Sequence, residues 1–236
     1  MRTGAIIFSR MTSKRLPGKA MMQISGKTLL ERVIERTEQL KNIEHFCIAT
    51  SNNEEDDKIA LFAKQNQINL YRGNLNNVIH RALEAAKKYR YDSFLRICGD
   101  RPFFDLDIYD KMISVHKNGK YDLTTNIFPR TVPPGLTGEI IDVKSLGKVL
   151  KSTSDILDEE HVTRYYYNNS EKFKIFNCDF SHKKENLKLR LVVDDMDDLK
   201  RARWISSNLE ENENVRVNKE KIISLAKDWQ YINLKN

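Results

Sequence analysis

The stretch Ala5-Ile6-Ile7-Phe8-Ser9-Arg10-Met11-Thr12-Ser13-Lys14-Arg15-Leu16-Pro17-Gly18-Lys19 reads as a β-strand that empties into a basic loop. Ala5–Phe8 is a short apolar run rich in β-branched residues, as a strand buried on both faces requires. Ser9–Lys19 then carries Arg10, Lys14, Arg15 and Lys19, and Pro17-Gly18 sets a turn just before the last of them. Cations in such a loop can make charge-assisted hydrogen bonds to a polyphosphate. Taken alone, a solvated basic turn reads equally well. The loop is neither G-x-x-x-x-G-K-[ST] nor G-x-G-x-x-G, so a Walker-type ATPase and a Rossmann dehydrogenase are disfavoured.

Working outward, strand-like and helical patterns alternate. Leu30, Val33, Ile34, Thr37 and Leu40 share one face of a helix. Phe46–Thr50 reads as a strand, and a helix runs from Glu54 to about Gln65, opened by acidic residues that suit its positive end. Asn69–Tyr71 is a short strand, and Asn76 or Asn77 caps a helix reaching Tyr89. Ser93–Ile97 is a strand that stops at Gly99-Asp100, and Asp105–His116 is helical. This alternation predicts a mainly parallel sheet with helices on both faces. Such sheets bind ligands at the carboxyl ends of their strands, where Ser9–Lys19 and Gly99–Asp105 both begin.

Beyond Tyr121 the pattern changes. Thr131-Val132-Pro133-Pro134-Gly135 is a loop. Gly138–Val143 and Phe173–Cys178 read as strands flanking a helix with Glu160, His161 and Tyr165–Tyr167. Leu187–Val193 reads as a further strand and Met196–Leu209 as a helix with Leu199, Ala202, Ile205 and Leu209 inward. A polar link, Glu210–Asn214, leads to a final short helix around Lys219–Lys227.

Two strand ends offer carboxylates. In Leu95–Asp105 the strand ends in Gly99, which frees the backbone, and then Asp100 at the tip. Mg²⁺ is commonly held by one or two carboxylates plus substrate phosphates, and Asp100 suits that need, whereas Asp105 reads as a helix cap. In Leu189-Arg190-Leu191-Val192-Val193-Asp194-Asp195-Met196-Asp197-Asp198, Asp194 emerges first and is the second candidate metal ligand, with Asp195 as the fallback.

Composition limits the alternatives. The chain has 236 residues, 40% of them hydrophobic, which suits one α/β domain with an excursion rather than a disordered chain. Cys47, Cys98 and Cys178 are odd in number and widely spaced, so no disulfide framework or zinc motif is expected; Cys47 and Cys98 read as core. The net charge of +7 is spread over scattered lysines without a basic and aromatic stripe, so nucleic acid is not the expected partner. No apolar run approaches the ~20 residues of a membrane span. The apolar part of Met1–Phe8 is too short for a signal peptide, so a cytoplasmic location is expected.

Taken together, these residues resemble the cytidylyltransferases of surface-glycan biosynthesis, such as the acylneuraminate and 3-deoxy-manno-octulosonate enzymes. They are most similar to the spore-coat polysaccharide branch. Its pattern runs A-R-x-G-S-x-R-L-P-G-K, R-G-x-x-x-x-V-L, R-x-T-G-D-x-P, E-H-V-T and V-D-T-x-x-D-L. Here the matching stretches are Ser9–Lys19, Arg72-Gly73 to Val78-Ile79, Arg96–Pro102, Glu160–Thr163 and Val193–Leu199, over about residues 4–209. Ser9 departs from the family's Ala, Thr12 from its loop Gly, Asn74, Asn76 and Asn77 from its usual acids, and Arg101 from a small residue.

The resemblance implies a three-layer, Rossmann-like α/β nucleotidyltransferase over residues 1–236, with 121–184 an acceptor-binding and dimerisation excursion. It implies transfer of CMP from CTP to a sugar acid, with Mg²⁺ on Asp100 and Asp194 and pyrophosphate leaving. Arg10, Arg15, Lys19 and Asp100 would be catalytic. Ser9, Arg10, Met11, Thr12, Ser13, Arg15, Lys19 and Arg96 would contact the nucleotide. Glu139, His161 and Arg164 would face the acceptor, and the enzyme would be a homodimer. By residue type alone, His161 is more commonly a surface or core histidine, and Tyr165–Tyr167 more commonly packing. A sugar phosphate or small phosphonate as acceptor, and a non-catalytic nucleotide-binding module, remain as alternatives.

Overall fold

The computed structural model describes residues 1–180, 184–209, 216 and 218–233. The first half follows the expected alternation. In order come β1 (Thr3–Phe8), a two-stranded hairpin of β2 (Gln23–Ile24) and β3 (Lys27–Thr28), α1 (Leu29–Glu38) and β4 (Phe46–Ser51). Next are α2 (Asp57–Gln65), β5 (Leu70–Gly73), α3 (Val78–Lys88), β6 (Ser93–Cys98) and α4 (Leu106–Gly119). The second half holds β7 (Leu123–Thr125), β8 (Glu139–Asp142), α5 (Val143–Ser152), α6 (Ile156–Glu160), α7 (Arg164–Asn168), β9 (Ile175–Asn177), α8 (Met196–Ser207) and α9 (Lys219–Asn233).

Local chemistry starts these helices where the sequence places them. Thr28 and Glu31 form a reciprocal capping box at α1, so two otherwise orphaned amides are satisfied. Asn77 caps α3 by accepting from the His80 amide, Asp105 caps α4 through Ile108, and Asp195 caps α8 through Asp198. The buried stripe of α1 holds Leu30, Val33, Ile34 and Thr37, and Leu40 follows it into the core.

The strands form a seven-stranded sheet in the order β5-β4-β1-β6-β8-β7-β9. β5, β4, β1 and β6 are mutually parallel, β8 is antiparallel to both β6 and β7, and β7 runs parallel to β9. Side chains alternate across it. Ala5, Ile7, Ile48, Leu95 and Ile97 face a layer built from α1, α2, α4, α8 and α9. Ile6, Cys47, Ala49, Phe94 and Ile141 face α3, α5 and α7. Helices therefore cover both sheet faces, and the fold is the expected three-layer, mainly parallel α/β architecture. β4 and β6 flank β1 on opposite sides, so the chain reverses its direction of sheet growth at the carboxyl end of β1. That switch point leaves a crevice between connections that leave in opposite directions.

Several expectations change. Leu187–Val193 is not a strand: a short 3-10 helix, Lys184–Lys188, precedes an irregular run. Leu189, Leu191 and Val193 are buried and Arg190 is exposed, so the alternation is real. The run crosses the strand ends rather than joining the sheet. Its amides donate to the loop carbonyls of Pro134 (2.8 Å, from Leu191) and Asp100 (2.9 Å, from Val193). The single helix expected around Glu160–Tyr167 is two short ones, α6 and α7, broken at His161–Thr163. Before them lies α5, whose apolar face holds Leu146 and Val149. The last helix extends to Asn233. Of the polar link 210–214, every residue lies outside the described part of the chain.

Candidate active site

Four chain segments meet at the crevice, and α3 closes its wall. The loop after β1 brings Ser9, Arg10, Ser13, Lys14, Arg15 and Lys19 to it. The turn after β6 brings Gly99 and Asp100, the run 189–195 brings Asp194, and α6 with its C-terminal neighbour brings Leu157, Glu160 and His161. They enclose a cleft of about 600 Å³.

The loop holds its shape through backbone bonds. The Met11 carbonyl accepts from the Ser13 amide at 3.0 Å and the Gly18 amide at 2.8 Å, which closes Met11–Gly18 into a compact ring. Gly18 sits at φ +75°, in the left-handed region that favours glycine, and so turns the chain to aim Lys19 inward. The Met11 amide donates to buried Asp56 at 2.6 Å, and Asp56 also accepts from the Ser51 amide at 2.9 Å. Burial alone would raise the Asp56 pKa; the bonds from Met11 and Ser51 overcome it and hold the carboxyl below its ordinary value. Gly99 packs where β1 ends: an added Cβ would lie 3.0 Å from the Phe8 carbonyl oxygen and from Ser9. Only a residue without Cβ fits there without displacing its neighbours.

Lys19 organises the centre. Its Nζ donates to Asp100 Oδ2 at 3.0 Å, Asp194 Oδ1 at 3.2 Å and the Val193 carbonyl at 2.7 Å. The two carboxylates proposed from separate strand ends thus converge on one cation position. The Val193–Asp100 backbone bond fixes their separation. Asp194 Oδ2 pairs with Arg15 at 2.9 Å and with Arg190 at 3.2 Å. Arg15 is well exposed, so its side chain can swing toward a ligand without losing packing. Arg10 pairs with Glu160 at 3.2 Å, which ties the basic loop to α6.

The other sequence-derived residues divide sharply. Met11 and Thr12 do not line the cleft; Met11 packs against the core and anchors the loop, and the Thr12 hydroxyl is buried without a partner among the described residues. Asp195 is spent as the α8 cap. Arg96 reaches the cleft, but its Nη1 is held 2.6 Å from Glu139 Oε2. These two are direct cross-strand partners on β6 and β8. The buried Glu139 also accepts from Thr163 Oγ1 at 2.6 Å and the Tyr167 hydroxyl at 2.7 Å. Although burial raises its pKa, Arg96 and these hydroxyls hold it below the ordinary value. Glu139 and His161 line a second cavity of about 230 Å³, which shares Arg96 and His161 with the first. Arg164 is turned away from both: its guanidinium closes on Asp155 (3.0 Å) and Asp158 (2.5 Å), so the α6–α7 break uses it to brace the turn. Cys98, expected in the core, instead lines the cleft because it ends β6 at the crevice. Tyr165–Tyr167 pack on Phe173 and Phe128, as expected of packing residues.

Two cleft residues escaped the sequence reading. Arg81 on α3 lies in the cleft wall, donating to the Asn74 and Leu75 carbonyls. Burial, and then repulsion from Arg10, lower it to about 10, still charged at neutral pH. Glu160 reads from sequence as part of the Glu160–Thr163 motif, and its pairing with Arg10 bridges 150 positions of sequence. No local pattern marks either, because both gain their place only when α3 and α6 pack beside the β1 loop. Overall the cleft presents Arg10, Lys14, Arg15, Lys19, Arg81 and Arg96 against Asp100, Glu160 and Asp194, an excess of positive charge suited to a polyphosphate.

Comparison with known proteins agrees with this geometry. The family model for cytidylyltransferases matches residues 4–223. A cytidylyltransferase structure from Leptospira borgpetersenii superposes with a TM-score of 0.89 at 31% identity, covering 98% of this chain and 96% of that one. The spore coat polysaccharide biosynthesis protein SpsF of Bacillus subtilis is 27% identical over 82% of this chain and 81% of its own length. The 3-deoxy-manno-octulosonate cytidylyltransferase of Rickettsia bellii is 28% identical over 81% of this chain and 83% of its own. With the basic β1 loop, the paired aspartates and the mainly parallel sheet all in place, the chain belongs to the cytidylyltransferase family and is a CTP-dependent nucleotidyltransferase.

Proposed function

We propose that this enzyme transfers CMP from CTP to a sugar acid of the 3-deoxy-2-keto type, releasing pyrophosphate, in the synthesis of a surface polysaccharide. The observation that carries the reading is the convergence of Asp100 and Asp194 on the Lys19 ammonium at the lip of a basic cleft. Hard oxygen donors that already surround a cation, with room beside them for phosphate oxygens, match the ligand set of Mg²⁺. Asp100 and Asp194 would hold it, and when bound it supplies charge neutralisation at the α-phosphate and the incoming oxygen.

The chain's own residues do the rest. Arg10, Arg15 and Lys19 bind the phosphates, and Lys19 and Arg15 neutralise the charge that builds on departing pyrophosphate. Arg15 leaves Asp194 for the triphosphate, and Arg10 can be shared between phosphate and Glu160. The acceptor sits in the second cavity, next to Glu139 and His161, with its attacking oxygen directed over the shared wall at Arg96. Positioning then replaces any protein nucleophile. The relationship to the R. bellii and B. subtilis proteins supports a sugar acid and a polysaccharide product.

The test is pyrophosphate release with Mg²⁺ from each of the four common nucleoside triphosphates, offered with 3-deoxy sugar acids, sugar phosphates and small phosphonates. Release from CTP with a sugar acid supports the reading. Release only with a phosphate or phosphonate acceptor overturns the acceptor class, and no release from CTP with any acceptor overturns the reaction.

A further inference from the structure

The second cavity is lined by Arg96, Arg101 and Arg130 but by a single carboxylate, Glu139. That carboxylate is already saturated by Arg96, Thr163 and Tyr167. Although burial opposes it, Cys98, Tyr109, Asp100 and Glu139 hold Arg101 charged, and the surplus cation facing the cavity beside it is Arg130. Arg101 donates from Nη1 to the Thr137 carbonyl at 2.5 Å, and among the described residues its buried Nε has no partner. Among the described residues, the Arg130 guanidinium makes no hydrogen bond or ion pair. Burial, and then repulsion from Arg101, lower the Arg130 pKa, as expected of two like charges facing one space. Two guanidiniums facing one space repel each other, and an anion held between them relieves that repulsion.

We infer that Arg101 and Arg130 form a subsite for an anionic group of the acceptor, a carboxylate or a phosphate, and so select which acceptor is cytidylylated. The two arginines come from different loops. Arg101 follows Asp100 directly, so an anion held by its fork is in register with the strand end that carries the proposed metal ligand. Arg130 approaches from the connection between β7 and β8, opposite. Planar guanidiniums suit bidentate recognition of either anion, and the shared wall at Arg96 and His161 leaves the remainder of the acceptor facing the phosphate cleft. The inference rests on the acceptor's place in this cavity, as proposed above.

The full chain would be titrated with CTP and Mg²⁺, then at saturating CTP with pyruvate and, separately, with inorganic phosphate, by calorimetry. Wild type, Arg101→Gln, Arg130→Gln and Arg130→Lys would be compared. Expected is a weakening of at least tenfold for the preferred anion in each Gln variant, partial recovery in Arg130→Lys, and CTP affinity within twofold of wild type. The tighter of the two probes names the anion class. Arg130 is exposed, so its variants report even if Arg101→Gln fails to fold. No anion binding to wild type, or binding indifferent to the Arg130 substitutions, overturns the subsite. If CTP does not bind, the functional reading fails separately, and the same anion titrations on the free protein still decide the subsite.

Discussion

At the scale of single residues, the centre is a small set of charges whose roles differ by what already holds them. Lys19 is held by two carboxylates and a carbonyl beside the proposed phosphate site. Lys19→Ala is expected to lower kcat by about 10²–10³-fold, the typical loss on removing one preorganised donor. CTP turnover followed by pyrophosphate release reads it directly. Asp100→Asn keeps the shape and removes the charge. It should abolish metal-dependent turnover while leaving the thermal midpoint within a few degrees, and appreciable activity would exclude Asp100 from the metal site. Arg164, braced on Asp155 and Asp158 outside the cleft, should behave differently. Arg164→Ala is expected to leave the KM for both substrates unchanged within a factor of about two, because the side chain lines neither cavity.

At the scale of elements, the β1 loop depends on a residue from another segment. Asp56 lies between β4 and α2 yet bonds the Met11 amide as well as the buried Ser51 amide, so Asp56→Ala strands both donors and should cost about 1–3 kcal/mol. Its carboxyl titrates below the ordinary range in the folded protein. Its contribution is therefore complete above the unfolded pKa of ~3.9 and is lost as the pH falls through the lower folded value. Denaturation curves at pH 7 and pH 3 should show wild type losing this increment in acid and Asp56→Asn losing less. A variant whose acid sensitivity equals that of wild type would refute the assignment.

On the scale of the whole molecule, the excursion from residue 121 to 184 carries apolar side chains that the chain itself does not cover. Ile156, on α6 beside the larger cleft, is 71% exposed, and Phe128, in the β7–β8 connection beside the smaller cavity, is 41% exposed. We propose this surface as the homodimer contact. Light scattering should give a dimer for wild type and a monomer for Ile156→Asp; a monomeric wild type would refute it. No described helix is long and apolar enough to cross a membrane.

What was legible in the sequence was what local rules govern. Strand β1, the caps at Asn77 and Asp105, the inward stripe of α1 and Asp100 at the end of β6 follow from period, capping chemistry and position within a run of a few residues. The mainly parallel sheet followed from their alternation, and with it the edge where the basic loop must lie. The tertiary structure decided whatever depends on residues far apart in sequence. It set Asp100 beside Asp194 through Lys19, paired Arg96 with Glu139 across two strands, and closed Arg10 on Glu160. It also took 187–193 out of the sheet and turned Arg164 outward. In each case the local pattern fixed only that a side chain is buried, charged or at an end; which partner it meets was set by how the strands are ordered, because Coulomb and hydrogen-bond energies act over a few ångströms of space whatever the separation along the chain.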